Sequence, residues 1–159
     1  MTHLFSLLLV LWLALPVVAG QGRQTLVVET SYDYGTVCRW LERNADRVRE
    51  SSGAMTVGRD GTTSTVQSET KRGIEVFRIR QYGAKGRYRA VFVQSLKGSV
   101  TDFECHIDIR PLPENRTSEM TVVLIAAASN SNSVEINVEL RKSLRLMRTY
   151  IQSRLVTNK

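Results

Sequence analysis

SVEINVELRKSLRLMRTYIQSRL (Ser133–Leu155) is the stretch that decides how the rest of this chain folds. Ile136, Leu140, Leu144, Met147, Ile151 and Leu155 recur at intervals of three and four, the period of one helix face. Glu139, Arg141, Lys142, Arg145, Arg148 and Arg154 fill the other face. Asn132, just ahead, stands three positions before Glu135, the spacing of a capping box. A helix with a single apolar stripe needs a surface to cover that stripe. The segments upstream must supply it.

Those segments read as a meander of short antiparallel strands. Residues 24–32 form the first, and Ser31 or Asp33 then caps a short helical segment that runs to about residue 50. Cys38, Leu41, Ala45 and Val48 make its apolar stripe, and Gly35 is a candidate break near its start. Strands at 54–57 and 63–69 are joined by Gly58-Arg59-Asp60-Gly61, a hairpin signal. Further strands follow at 74–82, 87–96, 100–110 and 119–128, separated by Gly- or Pro-containing turns. The expected fold class is α+β: a curved seven-stranded antiparallel sheet wrapped around the long C-terminal helix, as one domain over residues 24–156.

Alternation assigns faces. Phe103, Cys105, Ile107 and Ile109 point one way, and Asp102, Glu104, His106 and Asp108 the other. A tight turn at Lys97-Gly98-Ser99 places Arg87 and Arg89 outside, opposite Asp108 and His106, with Tyr88, Ala90, Phe92, Gln94 and Leu96 inside. Carried through the Gly83–Gly86 turn, the same logic puts Arg78 and Arg80 outside and Glu75, Phe77, Ile79 and Gln81 inside. A bulge would invert any strand beyond it. The inferred interior is apolar with a few polar groups, the composition of a ligand pocket. The candidate binding residues are Glu75, Phe77, Ile79, Gln81, Tyr88, Phe92, Gln94, Phe103, Ile107, Leu140, Leu144 and Met147. Against this, each polar member taken singly can sit at a strand end and reach solvent, and large Phe77, Phe92, Phe103 and Met147 side chains can fill the space themselves.

The N-terminal stretch, residues 4–18, is almost wholly apolar and uncharged, and Val17 and Ala19 satisfy the small-residue rule of signal peptidase. Residues 1–19 therefore read as a signal peptide, and the destination as secreted or periplasmic. No Lys or Arg precedes the apolar run, so an uncleaved anchor is the rival reading, although the run is short of the roughly 20 residues a spanning helix needs. Net charge is +7. That balance favours an anionic partner such as a membrane surface over nucleic acid in an exported protein, while the dispersal of the charge also fits an ordinary Arg-rich surface. Cys38 and Cys105 are the two cysteines; a bridge and two buried thiols are both open.

The order strand, helical segment, six strands, long helix resembles the helix-grip fold of the START-like superfamily (polyketide cyclase and lipid transport, SRPBCC), to which Bet v 1-type proteins are related. The likeness is carried by Thr25-Leu26-Val27-Val28-Glu29-Thr30, Trp40-Leu41, the successive hairpins and Leu140-Arg141-Lys142-Ser143-Leu144-Arg145. It spans the chain downstream of the leader and is topological, since the superfamily has no universal catalytic motif. The resemblance implies a hydrophobic cavity between sheet and helix, which relatives use for lipids, sterols, polyketides or hormones. Some relatives are enzymes, others carriers.

Catalytic machinery is sparse. His106 is the one histidine after the leader and falls outside between acidic neighbours; adjacent Cys105 and His106 point to opposite faces and cannot pair. No His/Cys/carboxylate cluster has metal-ligand spacing, no glycine-rich phosphate loop is present, and no cofactor is expected. Glu75 or Tyr88 acting as acid or base in a cyclase- or hydrolase-type enzyme is the alternative function, and a ligand-free interaction module is the third. The leading expectation is an exported protein that binds a hydrophobic, lipid-like small molecule between sheet and helix without transforming it.

Overall fold

Residues 20–157 are described by a computed structural model. The expected leader lies outside them. Strand β1 (Gly20–Thr30) leads into α1 (Tyr34–Glu50), followed by β2 (Met55–Asp60), β3 (Thr63–Thr70), β4 (Gly73–Ala84), β5 (Arg87–Lys97), β6 (Val100–Pro111), β7 (Ser118–Ala128) and α2 (Ser133–Leu155). The strands form one antiparallel sheet in the order β1-β7-β6-β5-β4-β3-β2. Successive strands from β2 to β7 pair with their neighbours, and β1 closes the far edge against β7. The helix-grip expectation holds: α2 lies along β1 and β7, and the curved sheet wraps its apolar stripe.

α2 begins and ends where the periodicity places it. Its capping box is complete, with the Asn132 side chain accepting from the Glu135 N–H and Glu135 reaching back to the Asn132 N–H. Ile136, Leu140, Leu144, Met147, Ile151 and Leu155 are all buried. Close approach to β1 needs Gly22, where a Cβ would strike Ile136 and Asn137. β1 itself starts at Gly20, four residues earlier than read from the sequence, because its pairing with β7 runs the full length of that strand.

α1 differs from the expected short segment. It is an unbroken 17-residue helix, since Gly35 falls in its first turn and breaks nothing there. Asp33 is the cap: its carboxylate accepts from the Thr36 N–H and hydroxyl, and the hydroxyl bond holds its pKa below the usual carboxylate value. The first hairpin also differs. β2 continues through Gly58 to Asp60 past a bulge at Val57, and the turn is made by Gly61-Thr62, with Gly61 at φ +58°.

The face assignment of β4 and β6 holds along their length, and Arg87 and Arg89 lie opposite Asp108 and His106 as expected. β5 does not hold. After Phe92 pairs with Ile79, an extra residue, Val93, is accommodated before Gln94 pairs with outward-facing Arg78. Gln94 and Leu96 are consequently exposed, not inside. In the same stretch β5 parts from β6, for their pairing stops at Val91–Glu104. Glu75 closes that parting. Its buried carboxylate accepts from the Ser99 N–H at 2.6 Å, the Ser99 hydroxyl at 2.8 Å and the Val100 N–H at 3.2 Å. Gly98, at φ +100°, passes so close that any Cβ there would overlap the Glu75 carboxylate.

Cys38 and Cys105 are free and buried, which settles them as small hydrophobes. Burial pushes the Cys105 thiol up to about 12.

Candidate functional site

Small residues make the space. Ala54, Ala126, Ser143 and Gly53 leave a concavity of about 510 Å³ between the sheet and one flank of α2. Its apolar wall comes from Phe77 on β4, Val100 and Phe103 on β6, Leu124 on β7, and Val138, Leu140 and Leu146 on α2. Phe77 stacks tilted on Phe103 at 5.2 Å between ring centres and on Phe92 at 6.2 Å, fixing the inner end. At the mouth stand Glu69, Lys71, Arg72, Glu139 and Lys142. A volume of this size suits one small-molecule ligand.

Arg72 ties the mouth together. Its guanidinium donates to Ser131 Oγ and Glu139 Oε1 through one nitrogen, and to Ser99 Oγ and Glu75 Oε1 through another. One side chain thus links the β3–β4 turn, the β5–β6 turn, the β7–α2 loop and α2. Arg pairs of this kind have fixed planar geometry, so the rim is preorganised.

A second concavity, of about 550 Å³, lies beside α1 near the β2–β3 and β4–β5 turns. Its character is polar. The Tyr88 hydroxyl accepts from Gln81 Nε2 at 2.7 Å and Arg49 Nε at 3.3 Å. Asp46 accepts from Gln81 and pairs with Arg59. Burial pushes Asp46 up, but the Arg59 and Arg49 charges outweigh that and hold it below the usual carboxylate value. Burial drives the Tyr88 hydroxyl up from the ordinary 10 to about 12, further still from the range of a base working at neutral pH.

The expected binding residues divide accordingly. Phe77, Phe103 and Leu140 line the apolar concavity, and Phe92 backs it. Gln81 and Tyr88 line the polar one. Ile79, Ile107, Leu144 and Met147 are fully packed core beneath the middle of α2, so the room lies on the helix flank and not under its whole length. Glu75 is engaged by four hydrogen-bond donors as a structural staple, and Gln94 faces outward. The general-base role for Glu75 has no support in this geometry. Ala54, Val100, Leu124, Ala126, Val138 and Leu146 also line the apolar concavity and were not among the expected residues. The signal was present in β7, whose inward series Met120, Val122, Leu124 ends in a run of alanines too small to meet the helix. Among the described residues no group of His, Cys, Asp and Glu side chains is placed to hold a metal ion.

The arrangement recurs in known structures. A START superfamily protein from Mycobacterium smegmatis superposes with a TM-score of 0.63, covering 84% of this chain and 96% of that one at 14% identity. The fold is that of the START superfamily. The ginseng major latex-like protein 151 from Panax ginseng gives a TM-score of 0.56 at 10% identity, covering 86% of this chain and 99% of that one. The Zhui aromatase/cyclase from Streptomyces sp. R1128 gives 0.53 at 8% identity, covering 84% and 96% respectively. No protein-family model and no curated protein matches the sequence. At such identities the START-like likeness is one of architecture, a sheet gripping a helix, and it transfers no residue roles.

Proposed function

We propose that this START-like chain is an exported binding protein that holds a hydrophobic, lipid-like small molecule between its sheet and α2 without transforming it. The observation that carries this reading is the 510 Å³ concavity, walled by Phe77, Val100, Phe103, Leu124, Leu140 and Leu146. Apolar ligand surface leaving water for such a wall gains roughly 25 cal/mol per Å². The titratable groups nearest the interior, Glu75 and Tyr88, are bonded into the scaffold, which supports binding over chemistry. Export is supported by the uncharged apolar leader and by the small residues Val17 and Ala19 at the expected cut.

Native mass spectrometry of protein purified from its host tests the proposal. The expected result is an adduct of lipid-like mass, released on denaturation. Protein that is empty, and that also fails to take up any component of a lipid extract, would refute it. The N-terminal residue of the same sample reports cleavage directly, since export with processing predicts Gly20 and an anchor predicts an intact leader.

A further inference from the structure

Between residues 140 and 155, α2 carries Arg141, Lys142, Arg145, Arg148 and Arg154 and no carboxylate. All five are exposed, and none forms an ion pair among the described residues. Much of the outer face of the sheet is different. There Arg87 and Arg89 share Asp108, Arg110 pairs with Glu119, and His106 bonds Glu104. Like charges held uncompensated on a rigid rod set up a positive field directed outward.

The same rod exposes apolar groups. Leu146 is 49% and Val138 43% accessible, and both stand at the mouth of the apolar concavity beside Lys142. Lys71 stands at the same mouth, on the β3–β4 turn. Cationic and apolar side chains are therefore interleaved around one opening, where Glu139 is held by Arg72 and Glu69 is the exposed carboxylate set against Lys71 and Lys142.

We propose that the outward face of α2, with this rim, is a docking surface for an anionic lipid bilayer, oriented so that the concavity opens toward the membrane. The cations meet anionic headgroups while Val138 and Leu146 enter the headgroup layer. The interleaving selects a bilayer over other polyanions. A nucleic acid or an acidic protein would use the arginines but leave Val138, Leu146 and the apolar mouth facing water. The contact proposed is at the bilayer surface, through α2; no helix among the described residues is long and apolar enough to cross a membrane. Docking does not require an occupied concavity, so it stands apart from the carrier reading.

Charge-matched variants test it. Arg141→Gln with Arg145→Gln, on α2, and Arg78→Gln with Arg80→Gln, on the sheet, each remove two positive charges. Full-length chain is expressed, and the recovered protein is co-sedimented with vesicles of phosphatidylcholine alone and of phosphatidylcholine with phosphatidylglycerol. The difference between the two vesicle types cancels any contribution of a leader. Wild-type protein should prefer anionic vesicles, and high salt should remove the preference. The α2 variant should lose about fivefold in affinity per charge removed, and the sheet variant should change by less than about twofold. Leu146→Ser should weaken vesicle binding with no change in net charge. Equal losses in the two double variants, no preference for anionic vesicles, or tighter binding to duplex DNA at equal phosphate would each overturn the proposal. An empty concavity with vesicle binding intact would sink only the carrier reading, and a lipid-filled protein indifferent to vesicle charge would sink only the docking surface.

Discussion

Glu75 shows how one residue reads differently in sequence and in space. Alternation placed it inside correctly, and a carboxylate inside a pocket invites a catalytic role. Its oxygens instead accept from Ser99 and Val100 and from Arg72, fastening β4 to the start of β6 where β5 departs. Ser99 and Val100 lie 24 and 25 positions away and have no local signature. Glu75→Gln swaps an acceptor for an amide that must face donors, and should cost roughly 1–3 kcal/mol in urea unfolding. An unchanged midpoint would show that the staple is idle. Cys105 and Tyr88 give a pH dependence. Their pKa values, normally 9.0 and 10.0, are both raised to about 12 by burial. The folded state therefore keeps protons that the unfolded state loses. The contribution of these two groups to stability should be flat below about pH 9 and fall as pH rises from there towards 12. Cys105→Ala should shallow that alkaline slope, measured from urea midpoints across the range. A slope identical to wild type would exclude the thiol as a contributor.

Elements were legible where one period persisted. α2 was bounded correctly because twenty-three residues carry a single stripe and its cap pairs Asn132 with Glu135. Asn132→Ala should remove the side-chain bond to the Glu135 N–H and lower stability by about 1 kcal/mol, read by thermal unfolding. A shift in the same range for exposed Gln152→Ala, which caps nothing, would argue against that explanation. β5 was legible only to Phe92. The bulge at Val93 depends on how β5 pairs with β4, and Val93-Gln94-Ser95-Leu96 continues the alternation as though nothing happened. Gly58 misled for a related reason: glycine marks both a turn and a bulge, and here it follows the bulge while Gly61 takes the positive φ.

At the scale of the molecule, the binding space is a product of size mismatch. The sheet's inner face carries large side chains under the middle of α2 and small ones towards β7's C-terminal end, where Ala126 stands off the helix flank. Ala126→Leu should fill part of that space and weaken uptake of a lipid-like ligand by an order of tenfold, with the unfolding midpoint held or raised. Titration calorimetry of the wild type should give a negative heat-capacity change, and the variant a smaller one. Undiminished binding by the variant would place the ligand elsewhere, the polar concavity beside α1 being the first alternative. The sequence by itself determined the helix, the count and order of strands, the inward faces of β4 and β6, and the basic outer face of α2, because each is written in a local period or composition. Only the tertiary structure decided where the concavity lies, that Glu75 fastens β4 to β6, that Tyr88 joins Gln81 and Arg49, and that Lys142 of α2 borders an apolar mouth. Those depend on register, bulges and side-chain volumes meeting across strands far apart in the chain, and no local pattern encodes such meetings.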